Sequence, residues 1–212
     1  MRILDISVPL TQMMPIWPGN PPLSTEETRS GSVCVTRLSI GLHSGTHIDF
    51  PYHFFPDGKK LEAYPLERFV GRVRVIMIES SSSIKIKELK TKTFNQVDKV
   101  IFKTQNSTLW QQKIFNPAFI GLEPDSAQYL VDCGVKLAGI DYLSIQPYSA
   151  NDNSAHTILL KNDVLILEGL NLTGIEENDY QLFCCPLPIL GVEASPVRAM
   201  LIPFNDSMEL DR

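Results

Sequence analysis

The sequence predicts one α/β domain that is rich in strands and has few helices. Its 212 residues suit a single domain over residues 1–212, because a chain of this length can bury a sizeable core without disulfides. Segments with the apolar pattern of strands outnumber helical ones. One strand–helix–strand succession occurs, so a helix should pack on a sheet without the repeated pattern of a doubly wound fold.

Composition and charge narrow the function classes. A hydrophobic share of 43% and a charged share of 20% are ordinary for a soluble globular protein. A net charge of -5 argues against a nucleic-acid partner. No apolar stretch approaches the roughly 20 residues of a membrane helix, so no membrane partner is expected. The four cysteines include no C-x-x-C pair, which predicts reduced thiols and a cytoplasmic protein.

The first forty residues are predicted to contain two strands separated by irregular chain. Residues 3–10 suggest a short strand, and a proline-rich loop follows at residues 15–22. Trp17 in this loop is either a packing plug or part of a binding wall, and its size favours the plug. Residues 25–32 suggest a polar connection. Residues 33–42 alternate as a half-buried strand does and lead directly to His43.

The remaining elements follow from apolar runs and turn residues. A helix is predicted over residues 125–133, with Pro124 at its start and Gly134 at its end. Residues 84–96 indicate a short helix and a turn, and residues 105–115 an irregular connection. The predicted strands are residues 71–79, 100–102, 135–140, 164–167, 186–190 and 197–203.

The run from His43 to His53 holds three of the four histidines of the chain, together with Asp49, within eleven residues. A single histidine is usually a structural residue. Three imidazoles crowded together lose solvation and repel one another when protonated, so a fold gains little from them unless something binds there. Imidazole and carboxylate are ligands of zinc and manganese. The cluster therefore predicts a metal site.

An extended conformation suits this run better than a helix. Gly45, Thr46 and Pro51 disfavour a helix, and the glutamate of an H-E-x-x-H site is missing beside His43. In an extended chain, residues two apart point the same way, so His47 and Asp49 would both reach one metal.

His156 and Glu168 lie far downstream and are ambiguous by themselves. His156 equally suits a polar loop, and Glu168 a solvated strand end. With the cluster they make four histidines and two carboxylates, more than one tetrahedral site uses. The surplus would supply either a general base or a second metal bridged by a carboxylate, and the central Asp49 is the better bridge.

The run H-S-G-T-H-I-D-F-P over residues 43–51 closely resembles the signature H-x-G-T-H-x-D-x-P of the cyclase-like metal-dependent hydrolases. Bacterial kynurenine formamidases and isatin hydrolases belong to that family. Further stretches resemble family landmarks in the expected order: residues 5–7, 15–19, 139–141 and 191–198. The resemblance implies a β/β/α layered, swivelling-domain-like fold, a homodimer or larger homo-oligomer, and one or two zinc or manganese ions per chain.

The resemblance also implies roles for individual residues. His43, His47 and Asp49 would bind one metal, and Asp49 would bind a second together with His156 and Glu168. His53 would be the acid/base histidine. Trp17 would fall in the substrate-pocket loop, which reverses the preference for a plug. Asn20 departs from the family pattern, since many members have an aspartate there.

The hypothesis is hydrolysis of an amide C–N bond in a small aromatic substrate, as in the conversion of N-formylkynurenine to kynurenine and formate in tryptophan catabolism. A metal would make water a nucleophile by lowering its pKa from about 15.7 toward about 7. His53 would pass a proton to the leaving nitrogen. Phe50, Tyr52 and Phe54 are either further pocket walls or core. The alternatives are ring opening of a cyclic amide or lactone, as by isatin hydrolases, a non-enzymatic metal-binding protein, and a metal-free binding module.

Overall fold

A computed structural model describes residues 2–150 and 152–204, which form a nine-stranded mixed sheet and a separate two-stranded hairpin. The strands are β1 (Leu4–Asp5), β2 (Ser24–Ser30), β3 (Val33–Ser39), β4 (His47–Asp49), β5 (Val70–Met77), β6 (Lys99–Lys103), β7 (Leu137–Ile140), β8 (Leu165–Glu168), β9 (Asn178–Phe183), β10 (Ala194–Pro196) and β11 (Met200–Pro203). The α-helices are α1 (Ile86–Leu89), α2 (Pro124–Asp132) and α3 (Ser154–Lys161). Short 3-10 helices cover Pro51–His53, Leu61–Ala63, Leu66–Arg68 and Gln105–Gln111.

The order of strands in the large sheet is β1-β11-β9-β5-β6-β7-β8-β4-β10. The four central strands, β5 to β8, are parallel, and the strands on both sides of them pair antiparallel. Every residue of β7 and β8 is buried, because a parallel strand is covered on both faces and is apolar along its length. The α/β class and the strand-rich character predicted from the sequence are confirmed.

Two hydrophobic clusters cover the two faces of the sheet. Leu130 of α2 and Leu159 of α3 pack in one cluster with Ile166 of β8. The neighbouring Leu165 and Leu167 point into the other cluster, which also contains Ile48 of β4. Successive side chains of a strand point to opposite faces, so β8 contributes to both. No helix among the described residues is long and apolar enough to cross a membrane.

Several predicted elements agree closely with the structure. The helix predicted over residues 125–133 is α2, with Pro124 in its first turn and Gly134 just beyond its end at φ +78°. Glycine adopts that left-handed conformation without strain, which is why it follows helices. The strands predicted at residues 71–79, 100–102, 135–140 and 164–167 correspond to β5, β6, β7 and β8.

The prediction for the hairpin is wrong in two respects. The polar connection predicted over residues 25–32 is mostly strand, since β2 pairs along its whole length with β3. The strand predicted as half-buried, β3, is exposed at every position, as is β2. Apolar alternation reports burial of one face, so it carries no information about a strand that buries neither face.

The later part of the chain also differs from the prediction. The strand predicted at residues 186–190 is reduced to one bridge, Pro186 with Val197, because prolines lack the N–H that a ladder needs. The strand predicted at residues 197–203 is only β11, and that predicted at residues 3–10 only β1. Residues 105–111 are 3-10 helix rather than irregular. The sequence prediction missed α3 and β9. It was also wrong that the strand–helix–strand succession occurs once, since β5–α1–β6, β6–α2–β7 and β7–α3–β8 follow one another. The three helices contribute to one hydrophobic cluster, so the fold is still not doubly wound.

Candidate metal centre

Strand β4 brings two of the predicted ligands to one place. It lies between β8 and β10, with His47 opposite Glu168 and Asp49 opposite Ala194. His47, Asp49 and Glu168 are all buried. Directly opposed side chains on neighbouring strands are close enough to interact. The extended conformation predicted for residues 47–49 is therefore observed.

Gly45, just before β4, and Gly169, just after β8, lie in close contact with each other. Gly169 has φ +73°, and a Cβ there would lie 1.9 Å from the carbonyl oxygen of Gly45. The Thr46 hydroxyl donates to the Gly169 carbonyl oxygen at 2.6 Å and accepts from the Val8 amide at 2.9 Å. The G-T part of the motif thus joins the N-terminal segment, β4 and the end of β8.

The predicted ligands form two groups that share Asp49. In one, His43 Nδ1 lies 3.0 Å from Asp49 Oδ1, and the rings of His43 and His53 are 4.2 Å apart. In the other, His47 Nε2 lies 3.4 Å from Asp49 Oδ1 and 3.3 Å from Glu168 Oε2. In each group one donor atom per residue lies within 4.8 Å of the others.

His156 completes the site from the helical side. It lies on α3 rather than in a loop, and its Nε2 is 3.1 Å from Glu168 Oε1. The same carboxylate oxygen accepts a hydrogen bond from the Ile145 amide at 2.7 Å. The tight group around Glu168 contains His47 and Asp49, whereas the resemblance assigned His47 to the other metal. The structure nevertheless places all six predicted residues around one region.

Several buried polar atoms of the site have no hydrogen-bond partner, which tests whether these residues suit a metal. The unpartnered atoms are His43 Nε2, His47 Nε2, Asp49 Oδ1 and His156 Nδ1. The Asp49 oxygen has nitrogens close to it, but they are not aligned for hydrogen bonding. Buried polar groups are normally satisfied. His47 Nε2 and Asp49 Oδ1 lie 3.4 Å apart without a hydrogen bond. An imidazole nitrogen and a carboxylate oxygen in this state are donors for a divalent cation, so the residues fit a metal.

The pKa shifts of the ligand residues also support the binding of a cation. Burial alone would lower the pKa of His47, but the Glu168 and Asp49 carboxylates raise it to about 9. Burial alone would raise the pKa of Asp49, but the imidazoles of His43 and His47 hold it below its usual range. Two buried carboxylates thus need a positive charge between them. The raised pKa of His47 favours a proton there when no metal is bound, and a divalent cation would replace that proton.

A cavity of ≈ 400 Å³ opens above the ligands, a volume typical of small-molecule sites. Its wall is aromatic on one side, since Trp17 lines it and lies 5.3 Å from Tyr148 and 5.4 Å from Phe115, centroid to centroid. Phe54 lines the cavity, whereas Phe50 is part of the core. The sequence reading missed Tyr148 and Phe115, because loop residues far apart in sequence leave no periodic signal.

His53 stands at the mouth of this cavity. Its ring is 4.4 Å from that of Phe54, at the end of the 3-10 helix that follows β4. Although solvent still reaches His53, burial among protein atoms lowers its pKa below the ordinary 6.5. A neutral imidazole at neutral pH can accept a proton.

The chain belongs to the Cyclase family, whose family model matches residues 4–147. Among its relatives is the kynurenine formamidase of Bacillus cereus, 35% identical over 205 residues that cover 95% of this chain and 97% of the relative. The solved structure of a protein described as a predicted metal-dependent hydrolase from Bacillus stearothermophilus is 30% identical in sequence and has a TM-score of 0.84. The match covers 94% of this chain and 97% of that one. Isatin hydrolase A of Labrenzia aggregata shares the fold, with a TM-score of 0.81, 21% identity and coverage of 94% and 93%.

Proposed function

We propose that the protein is a metal-dependent hydrolase that cleaves the C–N bond of a small aryl amide, in the manner of the kynurenine formamidases that it resembles. One observation carries this proposal. Two groups of imidazoles and carboxylates that share Asp49 lie beside a cavity of ≈ 400 Å³ that has an aromatic wall. Such groups suit a metal, and such a wall suits an aromatic ring.

The metal would be zinc or manganese, with one or two ions per chain, because mixed imidazole and carboxylate ligands suit both. His43, His47 and Asp49 would hold it together with Glu168 and His156. In support, Glu168 lies 3.3 Å from His47 and 3.1 Å from His156. When bound, such an ion supplies Lewis acidity, which activates water and polarises a carbonyl.

The side chains of the pocket supply the remaining chemistry. His53, neutral near pH 7, accepts a proton from the attacking water and returns it to the leaving nitrogen. The water oxygen bonds to the formyl carbon, the C–N bond breaks, and the products are formate and an aryl amine. Trp17 packs against the substrate ring. The Ile145 amide fixes the orientation of Glu168 through its 2.7 Å hydrogen bond.

The test uses protein purified without a histidine tag and loaded separately with zinc and manganese. We expect hydrolysis of an aryl formamide, its loss after chelation and its return when the metal is restored. Isatin serves as the competing cyclic amide, and faster opening of isatin would favour the second candidate, lactam hydrolysis. A loaded protein that turns over neither compound would instead be a non-enzymatic metal binder, and a protein that takes up no metal would be a metal-free binding module.

We also propose that the protein is a cytoplasmic homodimer or larger homo-oligomer. The exposed β2–β3 hairpin supports an oligomer, since Val33 and Val35 are 60% and 62% exposed and an isolated two-stranded hairpin is marginally stable in water. The four cysteines are free thiols, as a reducing compartment leaves them. The measurement of the oligomeric state is described below with the hairpin variant.

A further inference from the structure

The wall of the pocket is electrically neutral above the metal-binding floor. The carboxylates and imidazoles that line the cavity all belong to the proposed metal site: Asp49, Glu168, His43, His53 and His156. The polar residues higher in the wall carry no charge: Asn20, Ser144, Gln146, Tyr148 and Asn153. Among the described residues, no lysine or arginine lines the cavity. Glu193 lies close by, 3.7 Å from His43 Nε2, but it is not part of the lining.

We infer that the substrate is an aryl amide without a charged amino-acid tail, and that Asn20 sets this preference. The inference rests on the proposed function and narrows its substrate class. A zwitterionic tail entering the pocket would find no lysine or arginine in the lining for its carboxylate, and no lining carboxylate for its ammonium other than Asp49 and Glu168, which the metal would occupy. Burying unpaired charge is costly, whereas a neutral aryl ketone or amide group loses little.

Asn20 lines the cavity close to Trp17, where it can contact the groups attached to the substrate ring. Its amide N–H donates to the Trp17 carbonyl oxygen at 3.0 Å, so one turn carries both the aromatic wall and the carboxamide. The Asn20 side chain makes no hydrogen bond within the described part of the chain, although it lines the cavity. A free carboxamide can both donate to a carbonyl and accept from an N–H. It therefore recognises neutral polar groups.

Gln146, by contrast, is occupied by the protein itself. Its Oε1 accepts from the Ala155 amide at 2.9 Å, and its Nε2 donates to the Asp152 carbonyl oxygen. Both ends hold the start of α3. Asn20 is thus a position in the wall where a change of charge can alter recognition while these bonds stay intact.

The experiment compares two substrates that differ only in the tail. N-formylkynurenine carries the zwitterion, and 2′-formamidoacetophenone has the same ring, ketone and formamide without it. We expect kcat/KM of the metal-loaded enzyme to be about 10- to 100-fold higher for the neutral compound, the size of a discrimination of about 1.4–2.8 kcal/mol. Equal values, or a preference for the zwitterion, would overturn the inference.

Asn20→Asp tests the role of the residue, because it replaces an amide by a carboxylate of the same shape. The ratio should fall about tenfold or more, since the ammonium gains a partner. Asn95→Asp adds the same charge at an exposed turn and should leave the ratio unchanged. An unchanged ratio in Asn20→Asp, or an equal fall in both variants, would contradict the role given to Asn20.

Binding of the product pair separates this inference from the proposed function. Calorimetric titration with kynurenine and with 2-aminoacetophenone requires no turnover. Tighter binding of 2-aminoacetophenone would support the neutral pocket even if neither formamide were hydrolysed. Hydrolysis of both formamides with tighter binding of kynurenine would keep the hydrolase and reject the neutral pocket.

Discussion

Asp49 is the residue that both ligand groups share, so its side chain has the largest predicted effect. Asp49→Ala should lose the bound metal and all activity. One ligand group would keep only the imidazoles of His43 and His53, and the other only His47 and Glu168. Elemental analysis of the purified variant checks this. Asp49→Asn is the matched variant, since it keeps the shape and removes the charge. Metal content equal to that of the wild type in Asp49→Ala would refute the shared role.

His53 should behave differently, because it lies at the mouth rather than on the floor. We expect His53→Ala to keep its metal and to lose about 10²–10⁴-fold in kcat, the usual contribution of a general acid/base. Metal content and turnover are measured on the same preparation. If that preparation is fully active, His53 has no part in proton transfer. If it lacks metal, His53 acts as a ligand beside His43 and Asp49, as its distance from them also permits.

At this scale the sequence predicted the local part of the site but not the long-range part. His43, His47, Asp49 and His53 lie within one short run, and an extended conformation at residues 47–49 accounts for His47 and Asp49 pointing the same way. The turn before β4 and the 3-10 helix after it bring His43 and His53 to the same place. His156 and Glu168 are more than a hundred residues further along the chain, and nothing in their immediate surroundings indicated where they point. Their residue types made them candidates, and the resemblance to the family gave them roles. Asn20 stood out in the sequence only as a departure from the family pattern, and its place in the pocket wall came from the structure.

The contact between the end of β8 and the loop before β4 is the element-level support of the site. Gly169→Ala would place a Cβ 1.9 Å from the Gly45 carbonyl oxygen at φ +73°, so the two segments must separate. We expect a loss of about 2–4 kcal/mol in the free energy of unfolding, from overpacking and backbone strain together, measured with denaturant.

Gly174→Ala provides the matched control for that prediction. Gly174 has nearly the same backbone conformation, φ +74°, but a Cβ there would meet nothing within 4 Å. It should therefore cost only the strain of the left-handed conformation, about 1 kcal/mol. Equal losses in the two variants would show that the close approach at Gly169 is not what matters.

The ion pairs between Asp179 of β9 and two arginines of β5, Arg72 and Arg74, are expected to make the free energy of unfolding depend on pH. The hydrogen bond from Arg74, assisted by Arg72 and opposed by partial burial, lowers the pKa of Asp179 below its ordinary 3.8. A carboxyl group with a lowered folded-state pKa stabilises the protein above its unfolded pKa, and this contribution is lost as the pH falls through the folded value.

Urea unfolding of the wild type and Asp179→Asn from pH 3 to pH 7 measures this contribution. The wild type should be more stable by about 1–3 kcal/mol near neutral pH, the range for hydrogen bonds to charged groups, and the difference should shrink below about pH 4. A difference that does not change with pH would assign the effect to packing rather than to charge.

Among the strands, prediction was most accurate for the buried, apolar ones at the centre of the sheet. The central strands β5 to β8 are apolar because both of their faces are covered, and they were found. Strand β3 was found from its apolar alternation, but its exposure was not, and the polar β2 that pairs with it was missed. Helix α3 follows Asp152 and Asn153, residue types that begin helices but also mark turns, and the sequence suggested a loop at its start.

For the whole molecule, the exposed hairpin gives the sharpest prediction of assembly. Val33 and Val35 lie on the same face of β3, since they are two residues apart. A Val33→Glu, Val35→Glu double variant should lower the molar mass in sedimentation velocity by breaking a contact between copies, while the far-ultraviolet circular dichroism stays unchanged. Thr36→Glu, on the opposite face, is the control. An unchanged mass in the double variant would move the interface elsewhere.

The position of β4 between β8 and β10 has a consequence for how the protein matures. The histidine-rich run leaves the ribosome early, but both strands that flank it in the sheet are synthesised more than a hundred residues later. A nascent chain that stops short of His156 holds three imidazoles and one carboxylate of the site, without β8 and β10 beside them. Acquisition of the ion is thus a closing event in biogenesis, and a cell starved of the metal would accumulate complete chains that await it.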